Sequence, residues 1–200
     1  FSLLSGQSCT GVSIIDLHPK TIDAGHILLQ KSIEIPQKDS IYYTQLESLL
    51  AGLGGELSAQ VLDNFLKFWK EKMPQSELDS LDSSSMAKST KISKADGVIS
   101  FDLDSHELIS RKVRALSHQI PIRSVDLIPD RDVIMEDFIL FPDLNPQNIK
   151  YYKNLSAVLF PLKDGKCIGV KRFKIEAKSQ IFTAGSFYSN YLKPSMGLLW

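Results

Sequence analysis

The sequence predicts an α/β unit followed by a β-rich unit, with a linker between them. Residues 1 to 73 combine short apolar runs with two stretches of helical spacing, and residues 94 to 200 contain several short strand candidates separated by turns. Residues 74 to 93 are rich in Ser and Asp and poor in apolar side chains, which is typical of a linker. With 43% apolar and 23% charged residues, the chain has globular composition. We therefore expect two domains.

The α/β unit begins with a strand, a loop and a second strand. Val12 to Leu17 is an apolar run typical of a buried strand, and His18 to Ile22 is predicted to form a loop. Ile27 begins the second strand, which Pro36 ends because proline cannot donate to a ladder. This arrangement presents the carboxylate of Asp23 between two strands.

Asp23 is the candidate for chemistry in this loop. Gly11 and Gly25 lie on either side of it and allow backbone angles that a residue with a side chain would resist. An Asp close to a Gly often only caps a turn through its own backbone. The spacing of these residues therefore leaves both a structural and a catalytic role open.

Two helices are predicted after the strands. Asp39 or Ser40 is the candidate N-cap of the first helix. The end of this helix is predicted at three closely spaced glycines, Gly52, Gly54 and Gly55. Apolar residues recur at every fourth position of the second helix, at Leu57, Val61, Phe65 and Trp69. Such a stripe favours packing in a core over binding a cofactor.

The β-rich unit contains one helix and several strands. Asp104 or Ser105 is expected to cap the helix, and Asp164-Gly165 is typical of a hairpin turn. The strand candidates after the helix are residues 124–128, 132–141, 157–162 and 167–175. Many short strands with turns and one helix favour a small barrel.

Short motifs along nearly the whole chain identify a family. Thr10-Gly11-Val12 opens the first strand, and Asp23-Ala24-Gly25 follows it. Further motifs follow in order at 94–101, 114–116, 120–122, 163–165, 168–170 and 187–192. Their order and spacing resemble folate-dependent formyltransferases, and in particular methionyl-tRNA formyltransferases of the mitochondrial kind.

The resemblance implies a fold and an activity. The fold would be the C-terminal half of a Rossmann-like formyltransferase domain, then a linker and a small OB-like β-barrel domain. The activity would be formylation of the amino group of initiator methionyl-tRNA by 10-formyltetrahydrofolate, for translation initiation in the mitochondrial matrix. We expect an N-terminally truncated chain, because the family's Asn-x-His and Ser-Leu-Leu-Pro motifs do not occur in this sequence.

The resemblance also implies site residues. Asp23 would be the catalytic Asp. The loop that lines the folate pocket in the family would be formed by His18, Lys20, Thr21 and Ile22. The barrel would hold tRNA.

The charge distribution agrees with a polyanionic partner. Residues 145 to 200 carry nine Lys or Arg against two acids, whereas residues 1 to 144 carry fourteen against twenty-one. A basic cluster of this kind is suited to nucleic-acid phosphates, although a solvated face is the alternative. The candidate tRNA contacts are Lys163, Lys166, Lys171, Arg172, Lys174 and Lys178.

Other classes of site are not expected. Cys9 and Cys167 lack the spacing of a zinc site or a disulfide framework, and His18 and His26 have no third metal ligand nearby. No run of eighteen apolar residues occurs, so we expect no membrane partner. We also expect a monomer.

Two alternatives to this enzyme remain open. Without the Asn-x-His motif, the chain could be a truncated, non-catalytic tRNA-binding module. Another folate-dependent formyltransferase, acting on a sugar nucleotide or small amine, would share Thr-Gly-Val and Asp-x-Gly. The pattern at residues 187–192 argues against that third possibility.

Overall fold

The chain divides into two compact units, Phe1–Thr90 and Lys91–Trp200. The structure, a computed structural model, describes residues 1–75, 90–142 and 144–196. Most of the predicted linker, from residue 76 to residue 89, lies outside the described residues.

The first unit consists of an antiparallel strand pair and helices. Its elements are α1 (Ser2–Ser5), β1 (Cys9–Ile15), β2 (Ile27–Glu34), α2 (Tyr43–Asp63) and α3 (Phe65–Glu71). Strand β1 pairs with β2 along its whole length. The buried apolar residues that hold this unit together include Leu3, Ile27, Ile35, Ile41, Leu46, Leu57 and Val61.

The three glycines predicted to end the first helix lie inside α2. A Cβ at Gly52 or Gly55 would meet no atom within 4 Å, and neither residue has the positive φ of a helix C-cap. Each glycine costs a helix interior about 1 kcal/mol, which the buried face of a 21-residue helix offsets. The helix begins after Tyr42, whose N–H donates to Gln45 Oε1 at 2.8 Å. The predicted caps, Asp39 or Ser40, are therefore wrong.

The apolar stripe predicted to be core is buried only at its beginning. Leu57 and Val61 are buried, but Phe65 and Trp69 are each 44% exposed. Asn64 separates α2 from α3 with a non-helical backbone, so the fourfold spacing does not continue along one helix face. The prediction of core packing is wrong for Phe65 and Trp69 in this unit.

The second unit is a mixed sheet with one long helix. A 3₁₀ turn (Lys94–Gly97) leads into β3 (Val98–Ile99), and α4 (His106–Leu116) follows. The remaining strands are β4 (Ile122–Ile128), β5 (Arg131–Ile139), β6 (Lys150–Tyr152), β7 (Ala157–Pro161), β8 (Cys167–Ile175) and β9 (Ile181–Thr183). The order is β3-β4-β5-β8-β7-β6, and β9 pairs with β8. Among the described strands of this sheet, the β3–β4 pair alone is parallel.

The sheet does not close into a barrel within the described part of the chain. Strands β3 and β6 are the two ends of the pairing path. They contain two and three residues, so each offers only a short edge for a further pairing. The described strands therefore form an open sheet and not the closed small barrel that the sequence predicted.

Two local predictions for this unit are confirmed. Ser105 caps α4, since its Oγ accepts the Leu108 N–H at 3.3 Å. The turn between β7 and β8 has Gly165 at φ 76°, and the Leu162 N–H donates to the Lys166 carbonyl at 2.8 Å. Both features depend on nearby residues alone, which is why the sequence reveals them.

The C-terminal segment of the described chain is helical. It consists of α5 (Ala184–Phe187), a π-helical turn (Tyr188–Leu192) and α6 (Lys193–Met196). The backbone stays helical through Lys193 and Pro194. A proline ring clashes with the carbonyl four residues before it in a regular α-helix, and the wider π turn lies at that place.

Candidate active site

The loop from Asp16 to His26 joins β1 to β2 and carries Asp23. The Asp16 N–H donates to the His26 carbonyl at 2.9 Å, which closes the base of the loop. Asp23 has an exposed side chain and a left-handed backbone, with φ at 58°. Among residues that have a side chain, Asp adopts this conformation more readily than most, although the conformation is still uncommon for it. The loop therefore presents a carboxylate to solvent from a fixed, unusual backbone position.

Gly25 is required because the chain passes very close to Asp16. A Cβ on Gly25 would lie 1.7 Å from the Asp16 carbonyl oxygen and 2.7 Å from Asp16 Oδ1. Gly25 itself does not have a left-handed φ, and the positive φ belongs to Asp23. Close approach, not backbone angle, is therefore the physical reason for this glycine.

We expect Gly25→Ala to destabilise the first unit by about 1–3 kcal/mol, because the added methyl group forces the loop away from Asp16. Urea unfolding followed through Trp69 fluorescence measures the effect. Gly55→Ala is the matched control. A Cβ there meets open space inside α2, so this change should stabilise the unit by about 0.5–1 kcal/mol. Equal effects of the two substitutions would contradict the close-approach argument.

The residues predicted to line a folate pocket lie in the same loop. His18 Nδ1 accepts the N–H groups of Thr21 at 3.1 Å and Lys20 at 3.3 Å, so the imidazole orders the turn before Asp23. This arrangement requires an unprotonated Nδ1. Lys20, Thr21 and Ile22 are exposed, and Ile22 is 89% exposed. The loop thus holds all four predicted folate contacts on one accessible turn.

A charged cluster that the sequence analysis missed lies at the base of this loop. Asp16 Oδ2 is 2.7 Å from Lys72 Nζ, and Asp16 Oδ1 accepts the His26 N–H at 2.6 Å. Only 10% of the Asp16 side chain is exposed. The hydrogen bond from Lys72 is the main reason why the pKa of Asp16 lies below its usual value. The Lys72 ammonium also lies 3.7 Å from the centre of the Trp69 ring.

A small cavity adjoins the loop. Its volume is about 270 Å³, and Ala24, Gly25, His26, Pro74 and Gln75 line it. Pockets that bury a whole drug-sized ligand generally have about 300–1,000 Å³, so this cavity is large enough for only part of such a molecule. It places a concave surface beside Asp23.

The candidate tRNA contacts do not form one cluster. Lys163 and Lys166 are exposed in the turn before β8, whereas Lys171, Arg172 and Lys174 lie on β8 and Lys178 follows it. Lys171 lies five residues after Lys166, which is about 17 Å along an extended strand, so the two groups occupy different places along β8. Arg172 lies 3.1 Å from Glu136 and 2.8 Å from Asp137, and these carboxylates already compensate its charge.

The described residues contain no group of three or more His, Cys, Asp or Glu side chains that could hold a metal ion. Within the same ranges, the search for a helix with the length and apolarity to cross a membrane finds none.

Curated proteins similar to this chain are methionyl-tRNA formyltransferases. The mitochondrial methionyl-tRNA formyltransferase of Homo sapiens is 29% identical over 203 residues, which cover 96% of this chain and 49% of that protein. The protein of the same name from Bos taurus is 26% identical over the same shares. The methionyl-tRNA formyltransferase of Ehrlichia canis is 34% identical over 119 residues, or 58% of this chain and 34% of that protein. The chain thus spans about half the length of the mitochondrial relatives. No protein-family model matches it.

Solved structures agree on the fold. A variant of HypX from Aquifex aeolicus with four substitutions matches 96% of this chain and 33% of the HypX chain, with a TM-score of 0.67 and 15% sequence identity. HypX in complex with tetrahydrofolic acid matches with a TM-score of 0.66 over 96% of this chain and 32% of its own. The resemblance inferred from the motifs is confirmed: this chain is similar to methionyl-tRNA formyltransferases, and to the mitochondrial ones over nearly its whole length.

Proposed function

We propose that this chain belongs to an enzyme that formylates the amino group of initiator methionyl-tRNA, with 10-formyltetrahydrofolate as the formyl donor. The observation that carries this proposal is the similarity to mitochondrial methionyl-tRNA formyltransferases over 96% of the chain. Translation initiation in the mitochondrial matrix is the corresponding role and location. Because the chain spans 49% of the human relative, the activity is to be measured on the natural polypeptide that carries these residues.

Asp23 is the proposed catalytic residue of this chain. Transfer breaks the bond between the formyl carbon and N10 of the donor and forms an amide with the methionyl amine. The amine loses a proton, and N10 of the released tetrahydrofolate gains one. A proton acceptor near the amine and donors for the developing oxyanion assist such a reaction. Asp23 is exposed on a loop whose two ends are joined by the Asp16–His26 hydrogen bond, so its carboxylate is accessible to a substrate amine.

The folate is proposed to contact the turn before Asp23. His18, Lys20, Thr21 and Ile22 are exposed, and the Lys20 ammonium gives the turn a cation for an anionic ligand. The cavity of about 270 Å³ beside Gly25 fits a part of the donor. The chemical character of the turn is therefore compatible with the donor, with Lys20 suited to its carboxylates.

The second unit is the proposed tRNA-binding domain, in an OB-like arrangement. In this division, residues 1–73 end the catalytic domain, residues 74–93 form the linker and residues 94–200 bind tRNA, with the protein acting as a monomer. Exposed lysines on and around β8 support the assignment. Lys171 and Lys174 matter more than Arg172, whose guanidinium is paired with two carboxylates.

We expect the Lys171→Ala, Lys174→Ala double variant to bind methionyl-tRNA several-fold more weakly and with a smaller salt dependence. Each lost phosphate contact lowers the slope of log K against log salt by about 1. Arg172→Ala, which removes a paired charge, is the matched comparison and should change the slope less. Filter binding from 50 to 300 mM salt measures both. Affinity independent of salt would refute the assignment.

The direct test is formylation of methionyl-tRNA by the purified natural polypeptide with 10-formyltetrahydrofolate. Formylmethionyl-tRNA is the expected product. A polypeptide that binds this tRNA in a salt-dependent manner but forms no product would instead be the non-catalytic tRNA-binding module.

A further inference from the structure

We propose that Asp16, Lys72 and Gln75 are positioning residues that hold the loop carrying Asp23 in its reactive geometry. The inference rests on the proposed function, in which Asp23 acts at the methionyl amine. None of the three side chains is assigned a role by the sequence motifs, and two of them come from a segment about fifty residues downstream of the loop.

The base of the loop depends on the Asp16 carboxylate. Its two oxygens are used separately: Oδ1 accepts the His26 N–H at 2.6 Å, and Oδ2 accepts a proton of the Lys72 ammonium at 2.7 Å. The Asp16 main chain contacts the C-terminal end of the loop as well, since its N–H donates to the His26 carbonyl and its carbonyl packs against Gly25. One residue therefore closes the loop and ties it to the downstream segment.

The segment Lys72–Gln75, here called the strap, runs along the closed base. Met73 and Ile27 exchange two backbone hydrogen bonds, at 2.8 and 3.0 Å. The Gln75 side-chain amide then donates to the carbonyl oxygens of Asp23 and Gly25, each at 2.8 Å. The strap thereby holds the peptide group of Asp23 itself.

These contacts restrain an uncommon backbone conformation. Asp23 has a left-handed φ of 58°, and an unusual backbone conformation is retained only where the surroundings fix it. The Asp23 side chain is exposed and adds no packing of its own. The backbone position of Asp23 is therefore set by hydrogen bonds to the loop backbone. Asp16 and Gln75 make such bonds directly, and Lys72 acts through the Asp16 carboxylate. His18 adds two bonds at the preceding turn.

The test compares steady-state kinetics of folded variants of the natural polypeptide in the formylation assay. Asp16→Asn and Lys72→Met should each lower kcat about 10- to 100-fold, because a misplaced catalytic group costs rate and not binding. KM for methionyl-tRNA should stay within about twofold of its original value. The double variant should lose little more kcat than the less active single variant, since both substitutions remove the same Asp16–Lys72 interaction. Gln75→Ala should also lower kcat.

Two controls separate positioning from general stability. Lys72→Arg keeps a cation at the strap and should retain most of kcat. Lys70→Met makes the same chemical change as Lys72→Met on an exposed residue of α3 and should leave kcat unaltered. If Asp16→Asn does not fold, Lys72→Met and Gln75→Ala decide the question, because both replace side chains nearer the surface.

The outcomes separate this inference from the proposed function. Normal kcat in Lys72→Met and Gln75→Ala, with an inactive Asp23→Asn variant, overturns the positioning role and leaves the proposed function standing. A fully active Asp23→Asn variant overturns the catalytic role of Asp23 and with it the positioning role, while the formylation activity stands. A natural polypeptide that forms no formylmethionyl-tRNA overturns the proposed function itself. A loss of kcat in Lys70→Met equal to that in Lys72→Met also overturns the positioning role.

Discussion

Replacing Asp23 with Asn in the natural polypeptide is expected to lower the rate of formyl transfer about 100- to 10,000-fold, the range that a positioned proton-transfer group supplies. The free energy of unfolding should change by no more than about 0.5 kcal/mol, because the side chain is exposed. Asn has the same shape and, like Asp, tolerates the left-handed backbone at φ 58°. Single-turnover formylation measures the rate, and urea unfolding measures the stability.

The choice of substitution matters for this experiment. Ala at a left-handed position costs about 1–2 kcal/mol by itself, so Asp23→Ala would mix a backbone effect with a chemical one. Asp23→Gly removes the carboxylate without that strain and should be as inactive as Asp23→Asn. Asp130→Asn is the matched control: Asp130 has the same φ of 58° and is exposed, but lies in the turn between β4 and β5. Activity of Asp23→Asn near that of Asp130→Asn would refute the catalytic assignment.

The sequence predicts the features that depend on neighbouring residues. The cap of α4 at Ser105 requires only a hydroxyl and the N–H three residues later, and the turn at Gly165 requires only a residue that accepts φ 76°. The position of Asp23 in a loop between two strands is predicted for the same reason. Breaks in the apolar pattern at Pro19 and Gly25 mark the loop directly.

Features that depend on distant residues could not be predicted. Lys72 is 56 residues from Asp16, and Gln75 is 52 residues from Asp23, so no periodicity relates them. Charge alone gives no signal, because Lys72 is one of several lysines near the end of α3. An acid at the end of an apolar run suggests a pairing of Asp16 with a later cation, but nothing in the sequence identifies that partner.

The glycines of α2 illustrate a different limit. A glycine ends a helix only where the chain also turns into the left-handed region, and Gly52, Gly54 and Gly55 do not. Helix propensity is outweighed here by the packing of Leu46, Leu57 and Val61, which lie before and after the glycines. Tertiary burial therefore determines the length of this helix.

The second unit is expected to lose about 3–5 kcal/mol of stability when Phe173 is replaced with Ala. Phe173 is 1% exposed, and its ring stacks on Phe187 with centres 4.1 Å apart and planes inclined by 4°. Its ring also lies 6.3 Å from Phe160, which stacks on Phe101 at 4.0 Å. This row of rings joins β8 to β7, to Phe101 just after β3, and to α5. Truncation of its central ring leaves a cavity that segments from different parts of the unit cannot easily fill.

Phe141→Ala is the matched substitution, because Phe141 is 60% exposed in the same unit. It should cost no more than about 1 kcal/mol, since little apolar surface is buried there. Phe173→Leu should lie between the two, because a leucine keeps most of the contacts with Phe160 but not the stacking on Phe187. Urea unfolding followed by near-UV circular dichroism measures all three. Equal losses of stability for Phe173→Ala and Phe141→Ala would mean that the row of rings does not stabilise the sheet. The C-terminal helical segment would then be held by its other contacts, such as the edge-on packing of the Tyr191 ring against the Phe182 ring, with centres 5.5 Å apart.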